Sequence, residues 1–481
     1  MIEILKDNLG PAMFGGLVIF LLIGYPAAFS LAAVGLFFGF IAIELGVIDP
    51  SFLGALPFQL FGIVSNDLLL AIPFFTFMGA ILERCGLAED LLDSIGQLFG
   101  PVRGGLSYAV IFVGAILGAI TGTVAASVIA MGVISLPVMM RYGYNMRHAT
   151  GVIAASGTIT QLIPPSLVLV VLADVMGKSV GDMYAGAIGP SIAQLALFVI
   201  WVAIVSFVWP HHVPALPVEA RTLRGWPLLW KGLRGIVPSA ALIFLVLGTI
   251  FLGLATPTEA GAMGAVGALG LAALYGTLTW KLTYEAMTTT MRITAMVVFI
   301  LIGSRVFSLI FQGVGGGLWI EHMLTGLPGG QTGFLIFTMI FIFFIAFFLD
   351  FFEIAFIIIP LLMPAVQKLG IDPIWFGLLI CANIQTSFMH PPFGFALFYL
   401  RGIAPPEIKS RDIYLGSIPW IGLQLILVAI MIAWPEMVTY WISKTAVMDP
   451  AAVEQQFRNL APPPGGGAAP NFDLGQPPKF N

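Results

Sequence analysis

The chain has 481 residues, of which 59% are hydrophobic and only 9% charged, with a formal net charge of −4. Soluble domains carry about a quarter charged residues, so this composition excludes a water-soluble fold, and the mildly acidic balance gives no basis for nucleic-acid binding. The long apolar runs are broken by Gly and Pro, which favours membrane helices over barrel strands, and Cys85 and Cys381 stand alone without metal-site spacing.

In chain order, Lys6 precedes an apolar run, but Glu3 and Asp7 spoil the basic start of a signal peptide and another run follows at once. Residues 11–24 therefore read as the first membrane helix. Further runs of membrane length lie near 26–46, 69–85, 104–140, 150–176, 188–210, 236–255, 259–279, 293–312, 333–366, 374–403 and 416–435. Two are too long for one crossing and are interrupted centrally, 104–140 at "AITGTVAAS" and 333–366 at "FFLDFFEIAF". Each is expected to be a re-entrant hairpin, which leaves about ten full crossings. Stretches 87–100 and 280–292 mix charged and apolar residues and suit arm helices lying in the interface. A membrane domain over 1–445 is followed by a Pro/Gly-rich tail, 446–481, that reads as disordered.

Basic residues accumulate in cytoplasmic loops. Arg103, Arg141 and Arg147 flank the first hairpin, and Arg221, Arg224, Lys231 and Arg234 fill 211–235. Lys281 with Arg292, and Arg401 with Lys409 and Arg411, mark two more inner loops. The second hairpin has only Lys368 beside it, so both its ends fit outside.

An internal repeat links the halves. "LPVMMRYGYNMRHATGVIAASGTITQLIPPS" from Leu136 parallels "MPAVQKLGIDPIWFGLLICANIQTSFMHPPF" from Met363. Pro137 and Pro364, Gly143 and Gly370, Pro164 and Pro391, and Pro165 and Pro392 all share an offset of 227 residues. The first copy covers about 11–176 and the second about 236–403, with 188–210 and 416–435 as additional helices. Five crossings separate the hairpins, so the second copy is inverted. Inverted repeats with matching broken helices mark secondary transporters. Proline removes a backbone donor and clashes with the preceding turn. At membrane depth such a break is tolerated only inside protein or along a polar cavity. There, freed carbonyls coordinate cations and half-helix N-termini face anions.

The chain resembles the large permease subunit of tripartite ATP-independent periplasmic (TRAP) transporters. The resemblance is carried by "IPFFTFMGAILERCGL", "GAITGTVAAS" with "LPVMMRYGY", "GTITQLIPPS", "GLATPTEAGAMGA" and "LGIDPIWFGLLICANIQTSFMHPPFGFALF", in order along nearly the whole chain before the tail. It implies an all-α polytopic protein of the bacterial inner membrane, a Na⁺-coupled elevator transporter with no organic cofactor, and no enzyme. It also implies two partners, a small four-helix membrane subunit and a soluble periplasmic protein that delivers an organic acid. The alternatives are a self-sufficient Na⁺/organic-anion symporter of similar architecture, and a membrane metalloenzyme built on Asp350, Glu353 and His390, although the chain lacks a HExxH-type spacing.

The family's first hairpin tip commonly reads Ser-Gly-Ser; here Thr121, Gly122 and Thr123 keep the hydroxyls. With Thr158, Asp350 and the carbonyls expected at Pro164 and Pro391, they form the candidate Na⁺ set. A Thr bonding its own helix carbonyl is the bland alternative. Gln161, Ser166, Asn383, His390, Asp350 and Glu353 are the candidate substrate residues. For the two amides the alternative is a helix–helix hydrogen bond, and for Ser166 a helix cap. Asp350 and Glu353 are spaced to share a helix face; the alternatives are solvation at the hairpin mouth or a cap. His390 replaces the family's common Thr before Pro-Pro and is expected close to Asp350. Glu259, after Pro257, reads as a first-turn residue of a helix. Arg305, inside a span, calls for an ion-pair partner, a water path or a substrate carboxylate.

Overall fold

The computed structural model describes residues 3, 6, 8–121, 123–221 and 225–442, without the side chains of Leu22, Ile120 and Thr121. Gly122, the Thr121 side chain and the expected tail at 446–481 lie outside the described residues. Among the described residues the elements are helices and turns, with no strand.

The first half begins with α1 (Leu9–Ile23) and α2 (Ala27–Glu44), a packed pair. There follow α3 (Leu56–Val64), α4 (Ala71–Arg84) and α5 (Leu87–Phe99). The first hairpin is α6 (Gly105–Thr121) and α7 (Val124–Arg141), and the first broken helix is α8 (Met146–Thr158) and α9 (Leu167–Val175). Then comes the long α10 (Val180–Val208). The second half repeats the order with α11 (Trp226–Phe251), α12 (Pro257–Leu274), α13 (Trp280–Gly313) and α14 (Gly316–Thr325). The second hairpin is α15 (Gly330–Ile345) and α16 (Phe351–Lys368), the latter with a π turn over Ile354–Ile358. The second broken helix is α17 (Pro373–Met389) and α18 (Phe395–Ile403), and α19 (Ser410–Ala433) follows.

The repeat is visible in local chemistry. Gly143 and Gly370 take φ of +74° and +69°, a left-handed conformation open to glycine. Two residues on, Asn145 accepts from the Arg147 and His148 amides, and Asp372 accepts from the Trp375 amide, so matching side chains cap α8 and α17. Both Pro-Pro bonds, 164–165 and 391–392, are cis.

The copies interlock rather than stand side by side. α13 of the second copy packs along α2 of the first, while α4 of the first packs on α12 and α13. Small residues permit the approach: a Cβ on Gly303 would lie 2.3 Å from the Ala28 carbonyl oxygen. α8 lies against α19, pinned at one end by Arg147 Nε, 2.9 Å from Asp412 Oδ1. At the centre, fully buried Gln385 of α17 accepts from Gln194 Nε2 of α10 at 2.6 Å and from Gln424 Nε2 of α19 at 2.7 Å.

Seven helices are long and apolar enough to cross a membrane among the described residues, or nine if each of two bent pairs counts as one span. Helix breaks fall between Thr121 and Val124 and between Ile345 and Phe351, inside the two stretches expected to be hairpins, but α7 and α16 are each 18 residues and long enough to cross by themselves. Three expectations change. The arm at 280–292 and the span at 293–312 form one 34-residue helix, because nothing between Trp280 and Gly313 breaks it. Residues 50–64, outside the runs read from the sequence, hold α3 and a preceding 3₁₀ turn that starts at Pro50 with Asp49 as its cap. And α14, unforeseen, meets α15 at a bend of 115°. Glu259 lies in the first turn of α12 as expected, and there it and Thr256 cap the helix reciprocally.

Candidate functional site

The first break is closed by side chains. After α8, the 3₁₀ turn Ile159–Gln161 leads into Pro164-Pro165, and Ser166 starts α9 in an extended conformation. Ser166 Oγ donates to the Gln161 carbonyl at 2.8 Å rather than to the new helix, and buried Cys381 Sγ of α17 approaches the same oxygen at 3.4 Å. Ser191 of α10 donates to the Leu162 carbonyl at 3.1 Å, and Tyr184 to that of Ser166 at 3.5 Å. None of these donors reaches the Pro164 carbonyl. Thr158 donates to the Ala155 carbonyl at 2.9 Å, the bland option for a membrane Thr, which leaves its oxygen lone pairs open.

Two oxygens at this break are buried without a hydrogen-bond partner, Gln161 Oε1 and Thr160 Oγ1. They are two of eleven such buried side-chain atoms among the described residues, and buried polar groups are as a rule bonded to protein, water or an ion. Both are hard, neutral oxygen donors, a set that fits an alkali or alkaline-earth cation rather than a soft metal. Thr160 was not foreseen; only its place inside the broken segment could have drawn attention to it.

At the first hairpin tip, Thr123 is half-buried with extended backbone, and its hydroxyl does not cap α7. The equivalent tip uses its side chains differently. Asp350 accepts from the Glu353 amide at 2.8 Å, and Glu353 Oε2 accepts from the Asp350 amide at 3.0 Å. The two acids do not share a helix face as spaced. Asp350 precedes the helix, and together they form a capping box on α16, which is locally stronger than a lateral pair.

His390 ends α17 with its ring stacked on Phe347, centroids 4.5 Å apart, and edge-on to Phe343 at 5.4 Å. Its Nδ1 is buried without a partner. Among the described residues it makes no ion pair with Asp350 or Glu353. The contacts of the His390 ring are thus with Phe347 and Phe343 rather than with a carboxylate. Asn383 takes its alternative reading: Nδ2 donates to the Met339 carbonyl of α15 at 2.7 Å, tying the second broken helix to its hairpin. Arg305 has no ion-pair partner among the described residues and is exposed in a crevice beside α16.

Two Pro-Pro breaks thus stand at one offset of 227 residues, each inside a helix pair buried in the fold. A family model described as the DctM component of the tripartite ATP-independent periplasmic transporters matches residues 14–437. The chain belongs to this family. It is 29% identical over 447 residues to the C4-dicarboxylate TRAP transporter large permease protein DctM of Rhodobacter capsulatus, a match covering 89% of this chain and 96% of that one. It is 26% identical over 371 residues to the 2,3-diketo-L-gulonate TRAP transporter large permease protein YiaN of Escherichia coli K12, covering 77% and 85%. The YdaH transporter of Alcanivorax borkumensis shares the fold, with a TM-score of 0.58 at 16% identity over 79% of this chain and 87% of that chain. The chain is therefore a multi-pass membrane permease of the TRAP family. Its relatives are transport permeases and not enzymes, which removes the metalloenzyme alternative.

Proposed function

We propose that this TRAP permease imports a small organic acid on an inward Na⁺ gradient. A periplasmic binding protein hands over the acid, and a small four-helix membrane subunit works beside the permease. The hairpins and broken helices move as a transport domain against a scaffold of α1, α2, α4, α11, α12 and α13, in elevator fashion. The observation that carries this reading is the pair of Pro-Pro breaks at one offset, with the orphaned Thr160 and Gln161 oxygens at the first. A Na⁺ ion bound there would satisfy both and would draw on the Pro164 carbonyl and the hydroxyls of Thr123 and Thr158. The names of the relatives support the substrate class, since C4-dicarboxylates and 2,3-diketo-L-gulonate are both carboxylates.

The test is uptake into proteoliposomes containing the permease, its small subunit and its binding protein, screened over organic acids with and without Na⁺. Uptake is expected only with an inward Na⁺ gradient and without ATP. Undiminished uptake with Na⁺ absent on both sides would remove the coupling. Full uptake with either partner omitted would turn the reading toward a self-sufficient symporter.

A further inference from the structure

The crevice between α13 and the second hairpin holds a charge that the fold leaves alone. Arg305 lies about two turns before the C-terminal end of α13, the end expected outside, and is exposed there. It lines a cavity of about 400 Å³ with Ser308, Gln312, Phe356 and Pro360, a volume within the usual range of small-ligand sites. Asp174 and Glu321 stand on the same crevice, but each is engaged elsewhere. Asn66 Nδ2 donates to Asp174 at 2.8 Å, and Lys368 Nζ lies 2.7 Å from Glu321 Oε1. No side chain among the described residues pairs with or accepts from the Arg305 guanidinium. A cation within a membrane span persists only with a partner or a water-filled path. Ser308 and Gln312 follow at i+3 and i+7, on the same face of α13. Phe356 and Pro360 of α16 form an apolar wall across from them. A planar guanidinium beside hydroxyl and amide groups, facing an apolar wall, matches a short-chain carboxylate, whose two oxygens fit the fork.

We propose that Arg305 captures a carboxylate of the transported acid in this crevice, assisted by Ser308 and Gln312, and so selects anions of that shape at the outer side. This rests on the transport reading above. It places a binding residue on the scaffold side of the path, apart from the hairpin tips and broken helices.

Labelling of arginines with phenylglyoxal in membranes, read by mass spectrometry, tests it directly. Succinate and 2,3-diketo-L-gulonate serve as probes, with chloride at equal ionic strength as the control. At least one acid is expected to slow labelling of Arg305 about 3-fold or more while leaving Arg141 and Arg292 unchanged. In uptake, Arg305→Gln should raise KM roughly 10-fold or more, as loss of charge-assisted hydrogen bonds does, with little change in kcat. Arg305→Lys should fall between, and a preserved thermal midpoint confirms that both variants fold. Protection by neither acid overturns the inference. So does protection by the binding protein alone without any acid, which would make Arg305 a docking residue. If wild-type uptake proceeds while Arg305 stays unprotected, the transport reading stands and this one falls. Protection without any Na⁺-driven uptake does the reverse.

Discussion

In the first hairpin, α6 is buried along most of its length, and Gly114 and Gly118 bring its backbone onto the first broken helix. A Cβ on Gly118 would meet the Thr160 Cα at 2.9 Å, and one on Gly114 the Ser156 Cβ at 2.6 Å. At the equivalent places of the second hairpin, 227 residues on, stand Phe341 and Ile345. There α15 leaves Ile336, Phe337, Ile340 and Phe344 exposed by 43–59%. One hairpin is seated by a glycine seam; the other is held by aromatic contacts and by the Asn383–Met339 hydrogen bond. The repeat thus preserves the path of the chain while changing how tightly each hairpin is tied. The other arms show the opposite balance, with 67% of α16 buried against 44% of α7, so the contrast between the copies lies in α6 and α15.

The largest effect is expected at the seam. Gly118→Leu forces a side chain into backbone and should destabilise by about 3 kcal/mol, whereas Ile345→Leu should lose less than about 1.5 kcal/mol. Thermal unfolding of both variants in detergent checks this, and equal losses would break the contrast. Next, Asn383→Leu should lose about 1 kcal/mol by removing the hydrogen bond to the Met339 carbonyl and should speed hydrogen exchange in α15 but not in α6. Exchange rising equally in both helices would show that the hairpins are not independently tied. Third, Asp350→Ala should lose about 1 kcal/mol of capping, while Asp350→Asn keeps the cap to within about 0.5 kcal/mol. If Asp350 also serves the coupling ion, the Asn variant alone separates the roles: it folds normally and its Na⁺-driven uptake falls, by more than in Glu353→Gln. Wild-type uptake by Asp350→Asn at saturating Na⁺ would leave Asp350 as a cap only. The smallest change in stability, within about 0.5 kcal/mol, is expected for Thr123→Val, because the hydroxyl caps nothing. Its signature should be a shifted Na⁺ dependence of uptake, and an unchanged dependence removes Thr123 from the ion site.

Features written in covalent chemistry were legible in the sequence. The Pro-Pro breaks and the interruptions near 122–123 and 346–350 sit where residue type alone put them. The first-turn place of Glu259 was legible for the same reason, since Pro257 marks the helix start. What stayed hidden depends on neighbours distant in sequence. His390 reads as a titratable group beside two acids until the chain places Phe347 and Phe343 against it. Asn383 reads equally as a ligand or a tether until Met339 comes within 2.7 Å. The unbroken α13 was missed because a run of polar residues before an apolar span looks like a boundary, although helix continuity needs only the absence of breakers. Orphaned Thr160 could not be told from the bonded Thr158 two residues earlier, since only burial and partners separate them.

The junction at Gln385 joins three helices through a single oxygen: α17 of the second broken helix, and α10 and α19, which carry Gln194 and Gln424. Pulling α17 away from either neighbour strands a buried amide, at about 1–3 kcal/mol for each bond parted. The junction therefore removes a degree of freedom. The two bonds favour movement of these three helices as one body, which ties the position of the second Pro-Pro break to α10 and α19.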